Sequence, residues 1–155
     1  MHRRLIALDE TCVSVNGLKY RVYAAIDVDK NEILSMSFFP LRNALTTKIF
    51  VKHVLKCCDG SPMLVVDGAP WLREVLERLG LGYYVESFGE RSLVESVYSS
   101  FKQRTRAFFN STNSNPLNSS ERFRRSMLCW NLLIKLFMLY YNYLRGKLKL
   151  PRPVY

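Results

Sequence analysis

The sequence contains few glycines and prolines, and its cysteines and histidines form no metal-binding pattern. Seven glycines and six prolines in 155 residues exclude collagen-like and linker-like chains. The four cysteines have no Cys-x-x-Cys spacing and the two histidines, His2 and His53, lie far apart, so a zinc site is excluded. We expect reduced thiols in a cytoplasmic protein, because residues 1–4 lead into a strand-like run without a signal-peptide pattern.

Acidic residues are almost absent from the C-terminal part of the chain. Glu121 is the single acid after residue 95, whereas basic residues remain frequent there. Before that point basic and acidic residues are equal in number, so the net charge of +10 is one C-terminal block. A block of this kind predicts a surface that faces a polyanion, most often nucleic acid and less often a membrane or an acidic partner.

Long hydrophobic runs are also scarce, and only Met127–Leu144 approaches the length of a membrane span. Lys135 lies near its middle, where a charge is costly in a bilayer, so we expect no membrane segment. The run instead predicts a long helix buried in the core or in the interface of a homodimer or higher oligomer, because its apolar residues surround most of the helix.

The composition, with 48% hydrophobic and 23% charged residues, predicts one globular domain over residues 1–155. Alternating or wholly apolar runs predict five strands: Leu5–Val15, Leu18–Val28, Ile33–Phe39, Met63–Val66 and Tyr83–Val85. Periodicity and capping signals predict four helices: Thr46–Cys57, Pro70–Leu79, Glu90–Phe109, and a last helix that Ser119 or Ser120 caps and that ends at about Arg145. An Asn16-Gly17 turn joins the first two strands, and a polar loop over residues 110–120 precedes the last helix.

This element order predicts an α/β fold. Three antiparallel strands followed by two parallel strands give a five-stranded mixed sheet flanked by helices. Apolar residues at the even positions of the second strand predict that one face of that strand is buried.

Two aspartates have sequence contexts that suit a metal site. Asp9 lies inside the first strand, where Asp is disfavoured, and Asp67 follows the apolar fourth strand. If these strands are neighbours, the two acids approach each other at the edge where α/β sheets form their sites. Asp67 also fits an ordinary turn or helix-cap residue, and a rival acid, Asp27, suits the protein surface better than a site.

A third carboxylate, Glu95, lies near the start of the third predicted helix. Helical spacing places polar and apolar residues of this helix on different faces. The polar stripe consists of Glu95, Ser99, Lys102 and Arg106. The apolar face consists of Val94, Tyr98, Phe101 and Phe108. An acid beside the two aspartates would complete an oxygen cage for Mg²⁺ or Mn²⁺, with the three carboxylates within roughly 4–8 Å of one another and with Asp27 and Glu10 outside. Lys102 and Arg106 would then hold the phosphates of DNA.

Four stretches carry a resemblance to a known family: Leu8–Thr11, Tyr23–Asp27, Val65–Pro70, and Val94-Glu95 with Phe101–Arg106. In this order they resemble the catalytic core of DDE-type transposases of prokaryotic insertion sequences, in particular the insertion-sequence-6-like group. The spacing of seven from Glu95 to Lys102 matches that group's acid-then-base signature. The resemblance covers roughly residues 5–145 and implies the ribonuclease H-like fold of the integrase superfamily, whose element order the predicted strands and helices follow.

For this chain the resemblance implies a metal-dependent DNA transposase. Asp9, Asp67 and Glu95 would be the catalytic residues and would hold two Mg²⁺ or Mn²⁺ ions. The residues implied to bind double-stranded DNA, both transposon ends and target, are Lys102, Arg104 and Arg106. The reactions would be nicking at the ends and transfer of the 3′-hydroxyl strand, in a cytoplasmic, nucleoid-associated protein.

Two departures from the family pattern leave alternatives open. The segment between Asp67 and Glu95 is shorter than is usual in the group, so Glu86 or Glu90 is the alternative third acid. The chain begins almost on its first strand, without the family's N-terminal DNA-binding helices, so we expect end recognition to lie elsewhere. The alternative functions are an inactive relic that binds nucleic acid through its basic half, and another ribonuclease H-like nuclease.

Overall fold

The computed structural model describes residues 3–15, 18–86, 89, 92–110 and 119–146. The strands are β1 (Leu5–Val15), β2 (Leu18–Asp27), β3 (Glu32–Phe39), β4 (Met63–Val66) and β5 (Tyr83–Val85). The helices are α1 (Ala44–Leu55), α2 (Pro70–Arg78), α3 (Ser92–Asn110) and α4 (Ser119–Leu144). Every predicted element is present, whereas the predicted Asn16-Gly17 turn and loop residues 111–118 lie outside the described residues.

One mixed sheet forms the centre of the fold. Its strand order is β3-β2-β1-β4-β5. The pairs β1–β2 and β2–β3 are antiparallel, and the pairs β1–β4 and β4–β5 are parallel, which confirms the predicted mixed sheet. β1 is therefore the middle strand, and β4 runs parallel to its first residues and ends beside the middle of β1.

Helices cover both faces of this sheet. On one face α3 and α4 pack against the odd residues of β1, with Phe101, Trp130 and Ile134 in the core. On the other face α1 and α2 pack against Ile6 and Leu8. Because both faces are covered, every residue of β2 from Val22 onward is buried, so the prediction of a single buried face was wrong for that half of the strand.

Asp27 is buried, with 1% of its surface exposed, although it was expected at the protein surface. Its carboxylate lies 2.7 Å from Nη1 of Arg3, which also contacts Glu32 at 2.8 Å. Arg3 supplies the opposite charge beside this buried carboxylate, since buried charged groups in proteins are paired. Asp27 pairs with Ile6 in the sheet, so it lies three residues before Asp9 on the opposite face and outside the candidate site, as expected.

Local capping sets the beginning of α1. Asn43 accepts a hydrogen bond from the backbone N–H of Thr46 at 2.9 Å, and Thr46 Oγ1 accepts one from the N–H of Asn43 at 3.2 Å. This reciprocal pair starts the helix two residues before its predicted position. No helix in the described part of the chain, α4 included, combines the length and apolarity that crossing a bilayer requires.

Candidate active site

The register of β1 and β4 brings Asp9 and Asp67 to the same level of the sheet. Ala7 pairs with Val65, and the two preceding residues of β1 pair with Leu64 and Met63. Asp9 and Asp67 continue this register two residues beyond the last pair. Because paired strands lie about 5 Å apart, the two aspartates are neighbours at the carboxyl edge. Asp9 and Asp67 follow Ala7 and Val65 by two residues, so they lie in the same row across the sheet, on the face that α3 and α4 cover.

Asp9 is held by the backbone around it. It is 7% exposed, and its Oδ1 accepts a hydrogen bond of 2.7 Å from the N–H of Glu10. Its own carbonyl oxygen accepts a hydrogen bond from the hydroxyl of Tyr98, which also donates to the carbonyl of Val22 at 3.2 Å. Burial, and after it the charge of Asp9, raises the pKa of Tyr98 well above its usual value of 10, so this hydroxyl stays protonated.

Asp67 lies in a tight turn between β4 and α2. Its Oδ1 accepts a hydrogen bond of 2.9 Å from the N–H of Ala69. Gly68 has φ of 80°, and a Cβ there would lie 2.9 Å from Cγ1 of Val85. Only glycine accommodates both the left-handed backbone and this close approach to β5. The turn therefore fixes the Asp67 carboxylate at the end of β4.

Glu95 is exposed in the first turn of α3. Tyr98 follows it by three residues, so the two side chains are neighbours on the helix surface. Because the hydroxyl of Tyr98 contacts the carbonyl of Asp9, the turn of α3 that carries Glu95 lies against β1 near the aspartates. The packing of α3 thus brings the turn that carries Glu95 against β1, and the role of Glu95 as the third acid stays a prediction.

Asp9 and Asp67 suit Mg²⁺ or Mn²⁺ in their donor chemistry, since carboxylate oxygens are the ligands these cations prefer. Within the residues that the structure describes, however, no three His, Cys, Asp or Glu side chains come together as a metal-binding group. The expected convergence of three carboxylates is therefore not formed in this arrangement. The two aspartates provide part of a site, and the identity of the third ligand stays a prediction.

Glu86 and Glu90 were the alternative third acids. Glu86 follows β5, and its N–H donates to the carbonyl of Val66 at 3.0 Å, so it extends the row of Asp9 and Asp67 by one strand. Its carboxylate lies against Gly89, and its Oε2 is buried without a hydrogen-bond partner in the described structure. Glu90 lies outside the described residues.

Two predicted DNA-binding residues lie beside β1. Lys102 and Arg106 are exposed and line an open pocket of about 340 Å³ together with Cys12, Val13 and Ser14. The pocket adjoins the part of β1 that follows Asp9. The apolar face of the same helix is buried as expected, with Val94 and Phe101 fully enclosed, whereas the side chain of Phe108 is not described.

Arg104, the third predicted DNA-binding residue, points to a different neighbour. Its guanidinium lies 4.8 Å from the ring centroid of Tyr140 on α4. The side chain remains exposed, so contact with DNA stays a prediction for this residue.

The sequence reasoning missed the surroundings of Glu10, on the opposite face of β1 from Asp9. Glu10 Oε1 lies 3.1 Å from Arg42 and 3.6 Å from Arg21, and the Arg42 guanidinium stacks 3.8 Å over the ring of Trp71. These contacts tie the segment before α1 to the start of α2. They place Glu10 outside the cleft, as expected, and give Trp71 a packing role. An arginine and a tryptophan on separate segments of the chain carry no local sequence signal that links them.

Comparisons with known proteins point to one family. The family model DDE_Tnp_IS240, described as a DDE domain, matches residues 4–120. An uncharacterised protein of Methanocaldococcus jannaschii, MJ0017, is 40% identical over 144 residues, which cover 93% of this chain and 63% of that protein. The chain thus spans less than two thirds of this relative.

Solved structures with the same fold come from retroviral proteins. A chain of the simian T-cell lymphotropic virus intasome in complex with PP2A regulatory subunit B56 gamma matches with a TM-score of 0.69 at 13% identity, over 98% of this chain and 56% of that one. The HTLV-2 integrase catalytic core domain in complex with magnesium matches with 0.61 at 13% identity, over 89% and 85%. The BIV integrase catalytic core domain matches with 0.57 at 13% identity, over 96% and 87%. The sheet and its helices are thus the ribonuclease H-like fold of integrase cores.

Proposed function

The chain belongs to the transposase DDE domain family, and on that premise we propose that it is a metal-dependent DNA strand-transfer core. It nicks DNA at transposon ends and joins the freed 3′-hydroxyl to target DNA. Asp9, Asp67 and Glu95 are its proposed catalytic residues.

The observation that carries the proposal is the parallel register of β1 with β4, from which we infer that Asp9 lies beside Asp67. These acids lie far apart in sequence and become neighbours because β1 and β4 pair in parallel. Carboxylates that lie close together repel each other, and a bound divalent cation relieves that repulsion. Such a pair at the carboxyl edge of the sheet is a reason to expect a cation site there.

Mg²⁺ or Mn²⁺ held by Asp9, Asp67 and Glu95 would activate the attacking hydroxyl and stabilise the leaving oxygen of the phosphodiester. The protein's own contribution is to hold these acids in place. Backbone N–H groups of Glu10 and Ala69 orient the two aspartates. The protonated hydroxyl of Tyr98 holds α3, the helix that carries Glu95, against β1.

Double-stranded DNA is the proposed substrate. Lys102 and Arg106 lie beside β1 beyond Asp9, where they would neutralise the phosphates on either side of the reacting one. Arg104 would extend this surface toward α4. The excess of basic residues after residue 95 supplies charge for contacts over a longer stretch of DNA.

The neighbours suggest the remaining partners. The HTLV-2 integrase core was solved with magnesium and in a dimeric form. By analogy we propose Mg²⁺ or Mn²⁺ as the cofactor and self-association as the working state. A DNA-acting protein of this family would work in the cytoplasm at the nucleoid.

The test is nicking of supercoiled plasmid in the presence of Mn²⁺. We expect Asp67→Asn to lower the nicking rate more than about 100-fold, beyond the usual cost of perturbing the residues around a metal site. Asp29→Asn is the matched control, because Asp29 forms an exposed ion pair with Arg4 at 2.7 Å and lies away from the site. Equal rates for the two variants would refute the site.

A DNA-binding relic is the second candidate, because the described acids do not form a closed three-carboxylate group. If the chain is such a relic, we expect the wild type to bind DNA without nicking it. If the chain is instead another ribonuclease H-like nuclease, we expect nicking but no joining of an oligonucleotide 3′ end to a second duplex. Comparing Glu95→Gln, Glu86→Gln and Glu90→Gln in the same assay identifies the third acid.

A further inference from the structure

One face of α4 exposes a continuous apolar surface. Seven of its large apolar side chains are between 42% and 63% exposed: Leu128, Leu132, Leu136, Leu139, Tyr140, Tyr143 and Leu144. At 3.6 residues per turn they share an arc of about 160°. The opposite side of the helix is anchored in the core through Trp130, Ile134 and Phe137. Between residues 126 and 144 the only charged residue is Lys135, at one edge of this arc.

We propose that this face, the α4 stripe, binds the α4 stripe of a second copy of the chain, with the two helices antiparallel about a two-fold axis at Leu136. The inference assigns a surface to the self-association proposed above. It stands on α4 alone and does not require that the chain cleave DNA.

The area of the stripe matches what a stable dimer needs. Taking about 110 Å² for a whole leucine side chain and about 200 Å² for a tyrosine, the exposed fractions leave roughly 500 Å² of apolar side chain on each copy. A standard interface buries about 800 Å² per partner, and homodimer interfaces are about 65% apolar. The expected apolar share is therefore about 500 Å² per copy.

Charge favours the antiparallel orientation. Arg124 and Arg125 are exposed at the amino-terminal end of the stripe. In a parallel pair they would face the same arginines of the other copy. In an antiparallel pair centred on Leu136 the two Arg125 residues lie about 33 Å apart. Each then lies near the carboxyl end of the other α4, where helix carbonyls favour a cation.

The shape of the surface suits a second helix. An open groove of about 500 Å³ lies between α3 and α4 beside the stripe; Leu136 and Tyr140 of α4 and Arg104 and Thr105 of α3 line it. Leu136 is the midpoint of the run from Leu128 to Leu144. Centring the two-fold axis there places Leu132 of one copy opposite Tyr140 of the other, and Cys129 opposite Tyr143. A projecting leucine thus meets the groove, as a self-complementary interface requires.

The proposal is tested by measuring the molar mass of the full chain by sedimentation and light scattering. A concentration of about 50 micromolar lies in the range in which such interfaces associate. We expect a dimer whose dissociation constant rises at least about 30-fold in Leu136→Glu. Leu45→Glu is the matched control, because Leu45 is 64% exposed on α1 and Leu136 is 63% exposed on α4. Circular dichroism and thermal melting establish that both variants fold.

Cross-linking tests the orientation. In a background with the native cysteines replaced by serine, Leu136→Cys should form an intermolecular disulfide with itself, whereas Leu45→Cys should not. With Cys129 retained, Tyr143→Cys should also cross-link, because the two positions face each other across the axis. Disulfides need Cα atoms within about 7 Å, so only the proposed register satisfies both results.

A monomeric wild-type chain at that concentration would overturn the proposal. A dimer that Leu136→Glu leaves intact would overturn it as well. A trimer, or a dimer without the Leu136→Cys cross-link, would exclude the antiparallel two-fold pair.

Discussion

Replacing Tyr98 by phenylalanine tests how α3 is fixed to the catalytic edge. The hydroxyl of Tyr98 is buried between β1 and β2, where it donates to the carbonyl of Asp9 and lies 3.2 Å from the carbonyl of Val22. Phenylalanine keeps the ring and its packing against the core. The change therefore removes a single buried donor from a contact on which the position of Glu95 depends.

The magnitude follows from the burial of this hydroxyl. Leaving buried acceptors without their donor costs about 1–3 kcal/mol of folding free energy. For a chain of this size each kcal/mol lowers the melting temperature by about 2–4 °C. The loss of nicking should exceed the loss of folded protein, because α3 also carries Glu95. A displacement of about 1 Å at a catalytic group lowers activity about 100-fold.

Urea unfolding and plasmid nicking, measured on the same preparations, provide the assay. Tyr83→Phe is the matched control, because it removes a hydroxyl whose hydrogen bond to Glu77, at 2.6 Å, is exposed. Tyr98→Phe should unfold at lower urea concentration than this control and should nick more slowly while still folded. If the two variants unfold within about 0.5 kcal/mol of each other and nick equally fast, the anchoring role of Tyr98 is wrong.

Three further results are expected. The pKa of Tyr98 is raised in the folded state, so its contribution to stability is complete below its unfolded pKa of 10.0 and is lost as the pH rises above 10.0 toward the folded value. Above pH 10 the stability of the wild type should therefore fall by up to about 1.4 kcal/mol per pH unit more than that of Tyr98→Phe. Parallel stability curves of the two proteins in alkaline urea titrations would contradict this. Gly68→Ala should destabilise the chain by at least about 1–2 kcal/mol in thermal unfolding, since its Cβ would meet Val85 at 2.9 Å; an unchanged melting temperature would show that the turn relaxes freely. Replacing Lys102 and Arg106 by alanine should reduce the slope of log affinity against log salt for duplex DNA by about 0.9 per residue. The control Lys48→Ala, on the exposed side of α1, should leave this slope unchanged. An unaltered slope in the double variant would show that neither residue contacts DNA.

Local patterns in the sequence predicted the elements but not their surroundings. The bounds of β1, β4 and β5 were correct because apolar runs between turn residues mark strands directly. The start of α1 was misplaced by two residues, since the capping pair of Asn43 and Thr46 was overlooked. The burial of Asp27 depends on Arg3, which precedes β1 and is distant in sequence, and no pattern within a single strand reveals such a partner.

The candidate site was predictable in part for the same reason. Asp9 and Asp67 were identified by their places in or after a strand, and a parallel pairing of β1 with β4 was required to bring them together. Nothing in the sequence fixes the register of β1 against β4 that aligns them. The identity of the third acid depends on how the chain connects β5 to α3. That connection includes residues 87–88 and 90–91, which the structure does not describe. Tyr98 was assigned only to the apolar face, because periodicity does not show that its hydroxyl reaches the carbonyl of Asp9.

Anomalous diffraction from a crystal soaked in Mn²⁺ would test the central claim most directly, since it locates the cation without relying on activity. We expect an anomalous peak at the carboxyl edge of the sheet, about 2 Å from carboxylate oxygens of both Asp9 and Asp67, with Glu95 turned toward it. The same soak of Asp67→Asn should give no peak there or a much weaker one. A wild-type crystal with no peak between the two aspartates, or with Mn²⁺ bound only elsewhere, would contradict the account.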